Sequence, residues 1–349
     1  MTRKFRKMIS LIVAIAVLLS ATMVPSVAFG DSVSIRTSPE RTIADAVLAG
    51  FGDYQYLGST ELKNLNGESE AVCFRYAPDA YVIVNHNDLS VPEYSPSNPS
   101  PFEAEGATEY IYNGPLAHFY KDSSNSIRDV STDGLVDSSK VGLVYSKTAV
   151  SVTEKNALVR KAQVAPMRAI YKFTQSLPET WVSSYATPLH ASSILLRYIY
   201  VHHNSNVLYP TYSTNNKLQE YLSGVYYVPN TNINSWQLLG ECDYAGITYK
   251  GLNKYLSDRN VSTRGTAYSF TNTMWSDIQS SFVADYPVLV QTSNYHSSSW
   301  SYGSKTLVAY GYYYQDTSGG SLVVNDGQGH NNIHLTTDLN YYWSVVLFN

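Results

Sequence analysis

Lys305-Thr306-Leu307-Val308-Ala309-Tyr310-Gly311-Tyr312, followed by Val323-Val324-Asn325-Asp326-Gly327, reads as two successive strands ending on a turn. β-branched and aromatic residues fill both runs, and Asp-Gly is common turn chemistry. Upstream, Tyr286-Pro287-Val288-Leu289-Val290 is a short apolar run of the kind a buried strand needs. Further back, Thr187-Pro188 pairs a capping hydroxyl with a proline suited to a first helical turn. Ala191, Ile194, Leu195, Tyr198 and Ile199 then recur at helical spacing, which predicts a helix over 188–203. Shorter helices are expected at 249–256 and 273–282, and strands at 287–292, 306–314, 322–325 and 344–348. Helices first and sheet afterwards is an α+β order.

The first half carries its own signals. Ser38-Pro39 with Ile43, Ala46, Val47 and Gly50 predicts a capped helix over 39–49. Two strand-like runs, 71–76 and 80–85, joined by Ala77-Pro78-Asp79, read as a hairpin with Cys73 on its apolar side. Residues 95–101 are rich in Ser, Pro and Asn, and 122–155 are polar without period, so both read as loops. The composition is irregular again over 160–166, and a domain boundary is expected near 165. Many of the 31 tyrosines alternate, as Tyr310, Tyr312 and Tyr314 do, which suits half-buried sheet faces.

Residues 1–30 place Arg3, Lys4, Arg6 and Lys7 before an apolar run and end on Ala28-Phe29-Gly30, the pattern of a secretory signal peptide. An exported protein, secreted or associated with the cell surface, is therefore expected, with no membrane contact once the signal is removed. The remainder holds 20 Lys and Arg against 28 Asp and Glu, an acidic balance that argues against nucleic acid or anionic lipid as partner. Cys73 and Cys242 permit one bridge at most, so no disulfide framework is implied. CxxC, HExxH, P-loop and GxGxxG motifs are absent from the sequence, and no cofactor is expected.

The order helix at 187, "PVLV" strand at 287–290, Lys305 strand and Asn325-Asp326 resembles the papain-like cysteine peptidases of the bacterial C39-like and streptopain-like groups. In that family a cysteine opens the central helix, a histidine is separated from Gly-Tyr by five residues, and an Asn or Asp ending the next strand orients the imidazole. A thiol at a helix N-terminus gains from the macrodipole, and a nearby imidazolium favours thiolate further. The resemblance puts the nucleophile in the window Tyr185-Ala186-Thr187, the base at Lys305 and the orienter at Asp326 or Asn325. Only the orienter is kept. Lys305 is an ammonium without a free lone pair near neutral pH unless burial lowers its pKa strongly, and Thr187 is equally explained as a helix cap. The first half is similar to streptopain-type propeptides through Tyr81-Val82-Ile83-Val84-Asn85, Val91-Pro92-Glu93-Tyr94-Ser95 and 111–116. After the signal peptide expected at 1–30, the resemblance implies a propeptide-like α+β domain at 31–165 and a papain-like peptidase domain at 166–349.

Other chemistry-bearing residues stand outside this pattern. Cys242 lies beside Glu241 and near Asp243, whose charges oppose thiolate formation. His296 stands in a serine-rich stretch, and Ser183 and Ser184 precede the helix. His202 and His203 are adjacent on a helix and cannot face one metal together, and Asn260-Val261-Ser262 is a glycosylation sequon by pattern. The expectation is a secreted, catalytically inactive peptidase homologue that binds a peptide or protein through a retained groove. The alternatives are an active peptidase with a relocated nucleophile at Cys242, Ser184 or Thr187, and an inhibitor acting through the propeptide-like domain.

Overall fold

The computed structural model describes residues 37–136, 148–164, 170–175, 177, 187–208, 218, 222, 245–269, 271, 274–292, 306–315, 319–326, 329–338 and 342–348. The chain opens with α1 (Pro39–Leu48), where the Ser38 Oγ accepts from the Arg41 N–H at 3.2 Å and Pro39 takes the first position, as expected. Seven strands follow: β1 (Gln55–Lys63), β2 (Ser69–Ala77), β3 (Ala80–Asn85), β4 (Glu93–Ser95), β5 (Glu109–Tyr112), β6 (His118–Lys121) and β7 (Ile127–Asp129). Next come α2 (Val152–Val164), β8 (Ile170–Phe173), α3 (Thr187–His202) and α4 (Ala245–Asp258). The remainder comprises β9 (Gly265–Ser269), α5 (Met274–Val283), β10 (Val288–Thr292), β11 (Thr306–Gln315), β12 (Gly319–Asn325), β13 (Ile333–Thr336) and β14 (Tyr342–Phe348).

Part of the stretch read as an aperiodic loop is helix. Ser151 and Glu154 form a reciprocal capping box at the start of α2: the Ser151 N–H donates to Glu154 at 2.8 Å, and the Glu154 N–H donates to Ser151 Oγ at 3.2 Å. The helix is largely exposed and buries only Ala162, with Val159 alongside, against the α1 cluster. So few apolar contacts leave little periodicity to read.

All fourteen strands among the described residues belong to one mixed sheet, in the order β7-β6-β5-β1-β2-β3-β4-β13-β12-β11-β10-β14-β9, with β8 paired to the far end of β11. β1 and β5 are parallel, and the other neighbours are antiparallel. Period-two alternation distributes the strand residues between two covered faces. Leu289, Val308 and Val346 pack with Ala191, Ile194, Leu195 and Ile199 of α3 and Leu252, Tyr255 and Leu256 of α4. Their neighbours Val288, Val290, Leu307, Ala309 and Val345 point the other way, onto Ile278 and Phe282 of α5. In the first half, Val72, Phe74, Val82 and Val84 face α1, whereas Ala71, Cys73, Tyr81 and Ile83 face Phe102 and Tyr112.

The expected boundary near 165 lies outside the described residues. Described residues of the two halves meet along β4 and β13, where Tyr94 lies opposite His334 and Glu93 opposite Leu335. The join is reinforced by the Thr336 N–H to Pro92 O at 2.9 Å, Ser95 Oγ to Asn332 O at 3.0 Å and Asn98 Nδ2 to Asn331 O at 2.7 Å. Leu116, in the β5–β6 loop, is 3% exposed and sits in the core made by α5, β10, β11, β12, β13 and β14. Leu116→Ala is expected to cost ~2–5 kcal/mol, a cavity-scale penalty, although its strands lie across the join. A urea melt monitored separately by far-ultraviolet circular dichroism and tryptophan fluorescence checks this, since four of the five tryptophans lie after residue 230. A shift below about 0.5 kcal/mol by both probes would exclude the buried role.

Candidate active site

Asp326 follows the last residue of β12, whose Asn325 lies opposite Val308 of β11. Both polar residues are buried, Asn325 at 1% and Asp326 at 4% exposure. Buried polar groups need partners, and a local turn supplies them. The His330 N–H donates to Asp326 Oδ1 at 3.1 Å, the Asp326 N–H to His330 O at 3.2 Å, and Asn325 Nδ2 reaches His330 O and Asn331 Oδ1 at 3.2 and 3.1 Å. The second carboxylate oxygen holds His330 Nδ1 at 2.7 Å. The His330 side chain itself is half exposed.

An imidazole held this way has its tautomer fixed, because the carboxylate accepts from Nδ1–H, which makes Nε2 the basic nitrogen of the neutral ring. The arrangement is an acid–imidazole pair of the kind that orients a general base. The sequence reading expects no imidazole beside Asp326, because the family's base position is held by Lys305; the imidazole found there comes from four residues beyond Asp326.

A second histidine bears on the same carboxylate. His190 lies in the first turn of α3, fully buried, and burial pushes its imidazole down to about 4 while the charge of Asp326 acts in the opposite direction. The neutral ring is therefore the form present at physiological pH. The N-terminal turn of α3 and the end of β12 thus share one electrostatic neighbourhood.

The other sequence candidates divide plainly. Thr187 opens α3, but its side chain, with Lys305, Cys242, His296, Ser183, Ser184, Tyr185 and Ala186, lies outside the described residues. Cys73 is buried with Sγ 3.5 Å from Ser100 Oγ, and burial pushes its thiol up to about 12, which makes it an inert core residue. His203 turns to the Asp285 carbonyl at 2.8 Å and stacks on Tyr286, with ring centroids 4.2 Å apart. No metal-binding group of three or more His, Cys, Asp or Glu occurs among the described residues. His190 and His330 were missed because each is a single histidine, and single histidines carry no spacing signal. The one hint was that His330 stands four residues beyond the Asp326 already singled out.

The fold and this cluster define a mixed α+β protein with a large, mainly antiparallel sheet and an Asp–His pair beside a helix N-terminus. No family model matches the chain, and no curated protein matches it. Among solved structures, a fragment of prointerpain A from Prevotella intermedia, a mutant with alanine in place of a cysteine, superposes with a TM-score of 0.40 at 13% identity, over 84% of this chain and 98% of that one.

The electrostatic link between Asp326 and His190 can be tested by nuclear magnetic resonance. His190 should stay neutral down to pH 5 and titrate near 4. Asp326→Asn should move that midpoint lower still, because it removes a charge that favours the imidazolium. An unchanged or raised midpoint would separate the two residues.

Proposed function

We propose that the protein is an exported homologue of the papain-like, streptopain-type cysteine peptidases that has lost the catalytic pair and holds peptide segments without cutting them. Supporting this are the order of its motifs, the Thr187 and Lys305 substitutions, and the propeptide-like segments at 80–95 and 111–116. The observation that carries the reading is the engagement of Asp326. Its carboxylate accepts from the backbone N–H and the Nδ1 of His330, a residue of its own turn. Both of its oxygens are thus engaged within their own turn, and a lysine at position 305, a donor without a lone pair near neutral pH, would not use the carboxylate as a histidine does. The first half, 31–165, stands to the rest as a propeptide-like domain does to its peptidase.

One observation favours a second reading. The Asp326–His330 pair is itself a competent acid–imidazole arrangement, so a hydrolase with a relocated base is open, using Cys242 or the Ser184 or Thr187 hydroxyl as nucleophile. The two readings part in one experiment. Residues 31–349 are incubated with a diverse peptide library under reducing conditions, and products are read by mass spectrometry beside His330→Ala, Cys242→Ser, Ser184→Ala and Thr187→Ala. The binding reading expects no cleavage in any sample. Cleavage lost in His330→Ala together with one nucleophile variant would overturn it.

A further inference from the structure

Two ionisable side chains are fully buried where the halves join, on opposite faces of adjacent strands. Glu93 of β4 is 0% exposed, and its carboxylate accepts from Tyr81 OH and the Leu116 N–H, each at 2.7 Å, and from His118 Nε2 at 3.1 Å. These donors come from β3, the β5–β6 loop and β6. Cys73 of β2 also lies within its electrostatic reach, and Asp326 within that of Tyr81. The carboxylate thus fastens the loop that carries Leu116 into the other half's core.

His334 of β13 is 1% exposed and stacks on Tyr94 of β4, with centroids 4.5 Å apart. Its Nε2–H donates to Asn332 Oδ1 at 3.1 Å, which leaves Nδ1 to accept from Ser321 Oγ at 3.2 Å. Tyr313 of β11 and Phe51 after α1 close the ring from other sides at 5.4 and 5.2 Å. Among the described residues, every group that bonds to or stacks on this imidazole is uncharged at neutral pH, so no carboxylate there offsets an added proton.

We infer that the join is an acid-released clamp: protonation of His334 and Glu93 parts β4 from β13 while the strands on either side remain paired. The geometry favours separation at this line because β4 is only three residues long and pairs with β13 at two positions. Opening would free the turn that holds His330, since Ser95 and Asn98 bond the carbonyls of Asn332 and Asn331.

The sign follows from both groups. Burial pushes the closed-state imidazole of His334 down to about 3, so the closed form loses ground as pH falls below the ordinary histidine value and continues to do so down to about 3. For Glu93, burial raises the carboxyl pKa but the charge of His118 and the three donated hydrogen bonds outweigh it, leaving it below the usual glutamate value. Its stabilisation is present above that usual value and is lost as pH falls through the depressed one. Both groups act in the same direction.

Hydrogen–deuterium exchange on residues 31–349, corrected for intrinsic rates, tests the clamp between pH 7 and 4.5. Protection of β4 and β13 amides should fall roughly 10–100-fold while β2, β3, β10 and β11 stay within about threefold. His334→Phe keeps a stacking ring without a titrating site and should flatten that fall. Glu93→Gln, which keeps an acceptor without the charge, should loosen β4 and the Leu116 amide already at pH 7. Uniform loss across the whole sheet, no loss at all, or an undiminished fall in a folded His334→Phe protein would overturn the inference. Should His334→Phe fail to fold, the wild-type pattern and Glu93→Gln decide it by the same criteria.

Discussion

A carboxylate with no solvent exposure must find its hydrogen-bond donors inside the protein, and Glu93 finds three on three different elements. Breaking such a buried charged network costs about 3–5 kcal/mol, more than most single apolar contacts contribute. That requirement sets where the β5–β6 loop must run, because the Leu116 N–H is one donor and the Leu116 side chain lands in the second-half core. It also places β4 at the edge of the hairpin formed by β2 and β3, from which it can pair with β13. A glutamate at the start of a short strand thus fastens the two halves where the one sheet passes between them.

The candidate site inherits its geometry from that join. The turn from Asp326 to His330 leads directly into β13, and residues of the first half hold its exit: Ser95 Oγ donates to Asn332 O, Asn332 Nδ2 to Ser97 Oγ, and Asn98 Nδ2 to Asn331 O. From the second half, Tyr310 OH accepts from the Asn332 N–H at 2.8 Å. The half-exposed imidazole at position 330 thus rests on backbone fixed from both sides. Burial of the Tyr310 phenol raises its pKa to about 12, so it remains a neutral partner across the physiological range.

Much of the strand framework was visible in the residues because burial on two faces selects apolar, β-branched runs. β2, β3, β10, β11 and β12 fall where those runs predict them, and α1 and α3 begin at their Ser-Pro and Thr-Pro pairs. α4 runs longer than the predicted 249–256, since the added ends, Ala245-Gly246-Ile247-Thr248 and Ser257-Asp258, hold glycine and residues of low helix propensity. β1 alternates exposed and half-buried residues around Gly58 and so has no apolar run to detect. β13 is Ile333-His334-Leu335-Thr336, too short and too polar in the middle to stand out. At the site, Asp326 was legible because a turn residue after an apolar strand is conspicuous. His190 and His330 were not, because their meaning comes from tertiary proximity to that carboxylate.

How His330 is held bears on what it can do. A histidine within β11 would have its backbone fixed by strand pairing, to β10 over Thr306–Ala309 and to β12 from Val308 onward, leaving only side-chain torsions to be set by a carboxylate. His330 instead rides on a turn whose closure depends on the same carboxylate that orients the ring: Asp326 accepts from both its N–H and its Nδ1. Backbone and side-chain positioning are thus coupled through one residue, and loss of the Asp326 charge would release both together. General-base catalysis needs an imidazole placed to within about half an ångström. The external clamp at Asn331 and Asn332 therefore matters more here than it would for a strand-borne base. A proton-driven change at the β4–β13 join would reach the imidazole through this turn, without altering any residue that touches it.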